Sequence, residues 1–333
     1  MPKKTALIVS GAVSQGAFEA GVLEVLAANR ERLPIARLAG ASSGALNCAV
    51  YATGIRFGKE VQAATNLVTL WQDDATWNRV ADWSLKELLQ LDGLATSDKV
   101  LKLLARAVEG CTSGDTTDVD LRLTLTALDG AAGKIGNEDA TTFEYSKEFS
   151  NAEFDTEDGR EKVFDAAAGS SAFPGLFAPR DVAPVGPCVD GGAVNNAPIG
   201  WALQDGSIEQ IIVVSAHTRG GPQPDPPKPL HGPNLLGHLV DILVNERLYR
   251  DLREAAWVNS AVERLRALDG VPRETVDRVL AALSFRPVDI VEIRPLSPLE
   301  GNTFSGFSER RLRDEYIDAG RQAAQDALKK MPL

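Results

Sequence analysis

The stretch from Ile35 to Asn47, IARLAGASSGALN, constrains this chain more than any other. Ile35 to Leu38 have the apolar run of a short strand, Gly40-Ala41-Ser42-Ser43-Gly44 is a GxSxG pentad, and the small and apolar residues from Ala45 predict a buried helix. A strand that breaks into a helix through one serine-centred turn is a nucleophile elbow. The turn is so tight that the residues two positions either side of the serine must lack a Cβ, and Gly40 and Gly44 meet that demand. Ser42, not Ser43, is the central residue. Its hydroxyl would stand over the amides and positive dipole end of the following helix, where an oxyanion is favoured. The same five letters also occur as an ordinary glycine-serine turn, so a catalytic reading needs companions elsewhere.

The flanking segments supply a frame. Thr5 to Val9 reads as a buried strand running into a glycine-bearing loop, and from Ala17 the spacing of Phe18, Val22, Leu23, Val25 and Leu26 predicts a helix. Strand, helix, strand, helix in that order predicts an α/β fold with a mainly parallel central sheet, whose sites lie at the carboxyl ends of the strands. The loop from Gly11 and the elbow at Ser42 both sit at such ends and can face each other.

Further along, residues 55 to 110 read as helical, with Trp71, Trp77 and Trp83 serving as core or as the lining of an acyl pocket. LRLTLTALDG from Leu121 alternates as a strand, with Thr141 to Tyr145 pairing nearby. Glu138 to Lys162 carries nine acids against three bases and reads as a solvated loop or hairpin. Val163 to Pro179 reads as a small-residue helix stopped by Phe173-Pro174-Gly175, and IIVVSAH as a strand ending at His217. Six of the 18 prolines crowd between Pro222 and Pro233, an extended excursion ahead of a long helix from about Leu235 to Leu268. A last strand from Val288 and a terminal helix from Ser308 to Lys330 follow. The expected organisation is one domain over 1–333, with a Pro-rich excursion at about 220–233 and a C-terminal helical part at about 234–333.

Composition narrows the partners. A net charge of −11 argues against a nucleic-acid partner and against electrostatic adsorption on anionic lipid, so any transient contact with a membrane surface would be hydrophobic and local. Cys48, Cys111 and Cys188 are too widely spaced for a metal cluster and odd in number for a disulfide framework, and His217, His231 and His238 leave little material for zinc. Neither a metal nor a cofactor is expected. The apolar run Ala6 to Val9 is too short for a signal peptide and no stretch is long enough to span a membrane, so a cytoplasmic location is expected.

Ser42 needs a base. The order Ser42, Asp190, His217 is that of the α/β-hydrolase triad. Asp190 also lies in a Val189-Asp190-Gly191-Gly192 turn, where two residues without Cβ let its carboxylate come close to another backbone and take the serine proton directly. An ordinary aspartate pKa of about 3.9 is low for that task, so burial would have to raise it. The loop Gly11-Ala12-Val13-Ser14-Gln15-Gly16 can aim backbone N–H groups at an oxyanion. It lacks the Lys and Ser/Thr of a nucleotide-binding GxxxxGK[ST] loop. A short-chain dehydrogenase, suggested by AGASSGAL, fails because the motif follows a second strand and no Tyr has a Lys four residues on.

SGAVSQGAFEAGVLEVL, GASSGALN, AAAGSSAFPGLFAP and DGGAVNNAP together resemble, in order and spacing, four blocks of the patatin-like phospholipases. The similarity runs from about Thr5 to Val214, with a looser echo in VEIRP and the terminal helix. The resemblance implies a three-layer α/β/α fold and a serine hydrolase of lipid acyl esters that works with a Ser-Asp dyad and no histidine. Ser42 then matches the nucleophile, Asp190 the aspartate of the DG[GA] motif with Gly191 and Gly192 beside it, and Gly11, Ala12, Val13 and Gly16 the oxyanion loop. The family loop is GGGx[RK]G, whereas Ala12 and Val13 stand here for two glycines and Gln15 for the basic residue. That departure motivates an alternative, a weak or inactive patatin-like protein acting as a lipid-binding or partner-binding module.

Overall fold

The computed structural model of the chain describes residues 3–83, 95–135, 138–218, 233–283 and 285–331. Its strands are β1 (Thr5–Val9), β2 (Ile35–Gly40), β3 (Asp82–Trp83), β4 (Ala95–Thr96), β5 (Asp120–Ile135), β6 (Glu138–Phe149), β7 (Arg180–Val182), β8 (Gly186–Val189), β9 (Gln210–Val214) and β10 (Asp289–Ile293). Eight of them form one sheet in the order β10-β9-β1-β2-β5-β8-β7, with β6 paired on β5. From β10 to β5 the neighbours are parallel. β6 and β8 run antiparallel to β5, and β7 antiparallel to β8.

Helices cover both faces. The longer ones are α1 (Gly16–Ala28), α2 (Ser43–Arg56), α3 (Glu60–Thr69), α4 (Asp98–Ala107), α5 (Glu157–Ser170), α6 (Pro233–Arg266), α7 (Arg273–Ala282) and α8 (Arg310–Lys330). Leu7 and Val9 of β1 point into a core shared with α1, α2, α3, α5 and α8, while Ala6 and Ile8 point into a second core with Ile199, Ala202, Leu248 and Leu252. Burial on both faces is why β1 is an unbroken apolar run instead of an alternating one. The result is a three-layer α/β/α fold with a mainly parallel central sheet.

The end of the chain is built into this frame. β10 pairs along β9 from Asp289↔Gln210 to Ile293↔Val214. α8 crosses α1 so closely that a Cβ on Gly21 would stand 2.1 Å from the Ile317 carbonyl oxygen, and one on Gly320 the same distance from that of Phe18. The two glycines are thus fixed by backbone approach.

Some expectations are corrected. The span 55 to 110 is not continuously helical: a π-turn at Leu70–Asp74 follows α3, and β3 pairs with β4. Asp74 closes this bend by accepting from Arg79 and Arg106. Of the loop or hairpin expected from Glu138 the hairpin holds, since β6 pairs antiparallel with β5, but from Asn151 the span to Lys162 is helical, with Asn151–Asp155 and the start of α5. α5 begins at Glu157, where Thr156 Oγ1 accepts from the Gly159 N–H, and ends at Ser170, ahead of Phe173-Pro174-Gly175. The Pro-rich segment lies almost wholly outside the described residues. Among the described residues no helix is long and apolar enough to cross a membrane, and no cluster of His, Cys, Asp and Glu could hold a metal ion.

Candidate active site

Ser42 and Asp190 meet because of how β2 and β8 lie on β5. β2 pairs with β5 up to Gly40↔Leu123, and β8 pairs antiparallel with it down to Val189↔Thr126. At those positions β6 occupies the other edge of β5, pairing with Leu123 and Thr126 as well. Both strands therefore share one edge and run toward each other, and Ser42 and Asp190 follow their ends in the gap between them. Ser42 Oγ donates to Asp190 Oδ2 at 2.7 Å.

The elbow has the geometry that its glycines require. Ser42 sits at φ 54° and ψ −128°, between β2 and the first turn of α2. A Cβ on Gly40 would stand 2.6 Å from the Gly44 carbonyl oxygen, and one on Gly44 would stand 2.2 Å from that of Val9. The Ser42 N–H donates to Ser170 Oγ at 3.0 Å, and Ser170 Oγ donates on to the Thr124 carbonyl at 2.6 Å.

Asp190 is held as firmly. Its Oδ1 accepts from the Gly192 N–H at 2.7 Å, its own N–H donates to Ala172, and its carbonyl accepts from Thr126 Oγ1. Gly191 has no room for a side chain, since a Cβ there would be 2.0 Å from the Thr124 carbonyl oxygen. Burial pushes the Asp190 carboxyl up to about 6, against the lowering effect of its bonds from Ser42 and Gly192. That is the rise a carboxylate needs to serve as a base near neutrality.

The loop from Gly11 to Gly16 faces this pair. A Cβ on Gly11 would lie 2.4 Å from Ser42 Cβ. The amides of the loop are mostly spoken for. Gly11 N–H donates to Asn196, Ala12 N–H to Ser43 Oγ, Ser14 N–H to Thr303, Gln15 N–H to Ala12 and Gly16 N–H to Val13. Only Val13 N–H has no acceptor among the described residues, so the loop offers one amide where several were expected. Val13 and Ser42 are also the two non-glycine residues with positive φ among the described residues, at 52° and 54°. Ala12 has φ −150° and needs no glycine. Gln15, where the resemblance has a basic residue, is buried.

A cavity opens from Ser42 and Asp190. Its empty space, open solvent at the mouth included, is about 730 Å³, and its walls are chiefly Leu46, Leu67, Leu70, Val100, Leu103, Leu104, Trp71, Phe173, Phe177 and Phe307. Its polar lining is Ser43, Asn47 and Ser171 together with the Ser42–Asp190 pair. Trp71 is thus both core and pocket wall. Trp77 packs on Phe304 and Phe307, the latter a wall residue, and the side chain of Trp83 lies outside the described residues.

His217 lies three residues beyond β9, where its backbone carbonyl accepts from Arg294. The residue bonded to Ser42 Oγ is Asp190. Ser170, Asn196, Ser43, Asn47 and Glu19 were not singled out from sequence. All five lie in the four quoted blocks, which are the available signal: Ser170 supports the elbow amide, and Asn196 brackets Gly11 from both sides of its peptide.

The family model described as patatin-like phospholipase matches residues 7–203. Among solved structures, the crystal structure of VipD from Legionella pneumophila aligns at 12% identity with a TM-score of 0.40, over 99% of this chain and 67% of that one. No curated protein matches. The family match spans more than half of the chain and contains both Ser42 and Asp190; the chain belongs to the patatin-like phospholipase family.

Proposed function

We propose that the protein is a serine hydrolase of lipid acyl esters in which Ser42 is the nucleophile and Asp190 the base. Family membership supports a lipid acyl hydrolase in general terms. The observation that carries the finer reading is the 2.7 Å bond from Ser42 Oγ to Asp190 Oδ2 in the lining of a chiefly apolar cavity. The chemistry follows from that placement. Ser42 Oγ attacks the ester carbonyl carbon as its proton passes to Asp190 Oδ2. The oxyanion is met by the Val13 N–H and the first-turn amides of α2. Collapse of the tetrahedral intermediate breaks the bond to the alcohol, which leaves with the proton from Asp190. Water then gives a proton to the same carboxylate and attacks the acyl-serine, and the serine recovers its proton as the fatty acid departs.

The acyl chain would lie among the leucines and aromatic rings, whose burial of alkyl surface contributes about 0.8 kcal/mol per methylene. The whole site belongs to one chain, so a single domain over 1–333 suffices for it. A binding module with little turnover is the competing reading, favoured by a loop with one amide left to donate. A fluorophosphonate probe separates the two, because it reacts only with an activated serine. Stoichiometric labelling that is lost in Ser42→Ala is expected, and hydrolysis of acyl esters with it. A wild-type protein that neither labels nor hydrolyses would overturn the enzyme reading.

A further inference from the structure

Glu19 is a fully buried acid on α1 that the reaction above does not use. It sits one residue layer behind the site. Asn47 Nδ2 donates to its Oε2 at 2.7 Å, and Ser43 Oγ lies 3.2 Å from its Oε1. Trp71 Nε1 donates to Asn47 Oδ1 at 2.8 Å, and since an indole can only donate, this fixes the amide of Asn47 with its NH2 toward Glu19. Ala12 N–H donates to Ser43 Oγ at 2.8 Å. One unbroken chain of bonds thus joins the pocket wall at Trp71 to the oxyanion loop at Ala12, and Glu19 is its centre.

The far side of the loop is held independently. Ser14 donates to the Thr303 carbonyl through both its N–H and its hydroxyl, and its Oγ accepts from the Gly306 N–H. Val13 therefore stands between two anchored residues, which is how a β-branched side chain can be kept at φ 52°. We propose that Glu19 is a positioning residue for the oxyanion loop: through Ser43 it fixes the Ala12 amide, so that the strained Val13 amide is the one presented to the ester oxygen. This deepens the function proposed above and rests on it.

Burial pushes the Glu19 carboxyl up to about 8, so it is neutral near pH 7. Ser43 Oγ donates to this carboxyl, 3.2 Å from Oε1 and 3.3 Å from Oε2, and Asn47 Nδ2 donates to Oε2, so a glutamine with its amide oxygen at the Oε2 position can still accept from both. Glu19→Gln is therefore the conservative variant, while Glu19→Ala and Ser43→Ala each break the chain of bonds. On a short-chain ester, Ser43→Ala and Glu19→Ala should each lower kcat by about tenfold or more with KM changed by less than about threefold, as expected when only the transition state loses a donor. Glu19→Gln should recover at least about a third of wild-type kcat. Thermal transitions show which variants are folded, and Ser43→Ala, which deletes one hydroxyl, keeps the test open if Glu19→Ala does not fold.

Wild-type kcat in Ser43→Ala would overturn the proposal, as would a Glu19→Gln protein no better than Glu19→Ala. If the wild type neither labels nor hydrolyses, the dyad reading has failed by itself. The positioning role is then decided by amide hydrogen exchange at Ala12. Exchange at least about tenfold faster in Ser43→Ala and in Glu19→Ala than in wild type or Glu19→Gln supports it. Equal rates in all four would overturn it.

Discussion

Ser42 Oγ and Asp190 Oδ2 are joined by a 2.7 Å hydrogen bond although the two residues are 148 positions apart in the chain. The bond is the product of two strands aimed at each other along one edge of β5, one parallel to it and one antiparallel. A carboxylate that already accepts the serine proton's bond needs no histidine between them, and this separates the proposed chemistry from that of a triad.

Asp190→Asn should therefore be as damaging as Ser42→Ala, whereas His217→Ala should cost less than about tenfold in kcat/KM, measured on one acyl ester under identical conditions. A loss of about 10⁴-fold in His217→Ala is what triad disruption can cause, and would replace the dyad by a triad.

Strain at Ser42 should be visible as stability. Ser42→Ala and Ser42→Gly delete the same hydroxyl, but only glycine relieves the backbone at φ 54°. Both should be inactive, and the glycine variant should be the more stable by about 1 kcal/mol in denaturant unfolding. Equal midpoints would show that the elbow carries no such strain.

The loop should separate its two non-glycine positions. Val13→Gly relieves a residue at φ 52° and should stabilise the fold by about 1 kcal/mol. Ala12→Gly relieves nothing at φ −150° and should destabilise it by about 0.5 to 1 kcal/mol. Opposite shifts of the thermal midpoint are the expected result, with kcat of Val13→Gly within about threefold of wild type because its neighbours still hold the amide.

Acidity gives two pH dependences. The base must be ionised, so kcat/KM should rise with pH through about 6, the value to which burial pushes Asp190. Stability should move the other way. Between 4.5 and about 8 the unfolded chain has released the Glu19 proton that the folded protein still holds, so this group's contribution falls across that window and is flat above it. Asp190 adds a similar fall between 3.8 and about 6. From pH 6 to 8 the stability of wild type should thus decline relative to Glu19→Gln, as read from unfolding midpoints; parallel curves would mean that Glu19 is ionised throughout.

Much of the frame could be read from the chain itself, because it is written in local patterns. The run Ala6–Val9 is buried on both faces and so has no polar member until Ser10. Gly40 stands where a Cβ would strike Gly44 in its own turn, while a Cβ on Gly44 or Gly191 would strike the backbone of Val9 or Thr124 on a neighbouring strand; all three are legible as motif glycines. Ser42 and Asp190 followed from those turns together with the order of the four blocks.

What tertiary structure alone decided is which groups spend their hydrogen bonds on one another. No spacing in the sequence says that β2 and β8 share an edge of β5, since register depends on pairing across distant segments. Nor does any local pattern reveal that five of the six loop amides between Gly11 and Gly16 are already engaged, leaving Val13. Glu19 looks from sequence like one more polar residue on a helix. Only packing buries it behind Ser43 and Asn47. Local sequence determines where the backbone must turn; the fold determines which donor is left over when it has done so, because a buried polar group bonds to whatever the whole chain brings within reach.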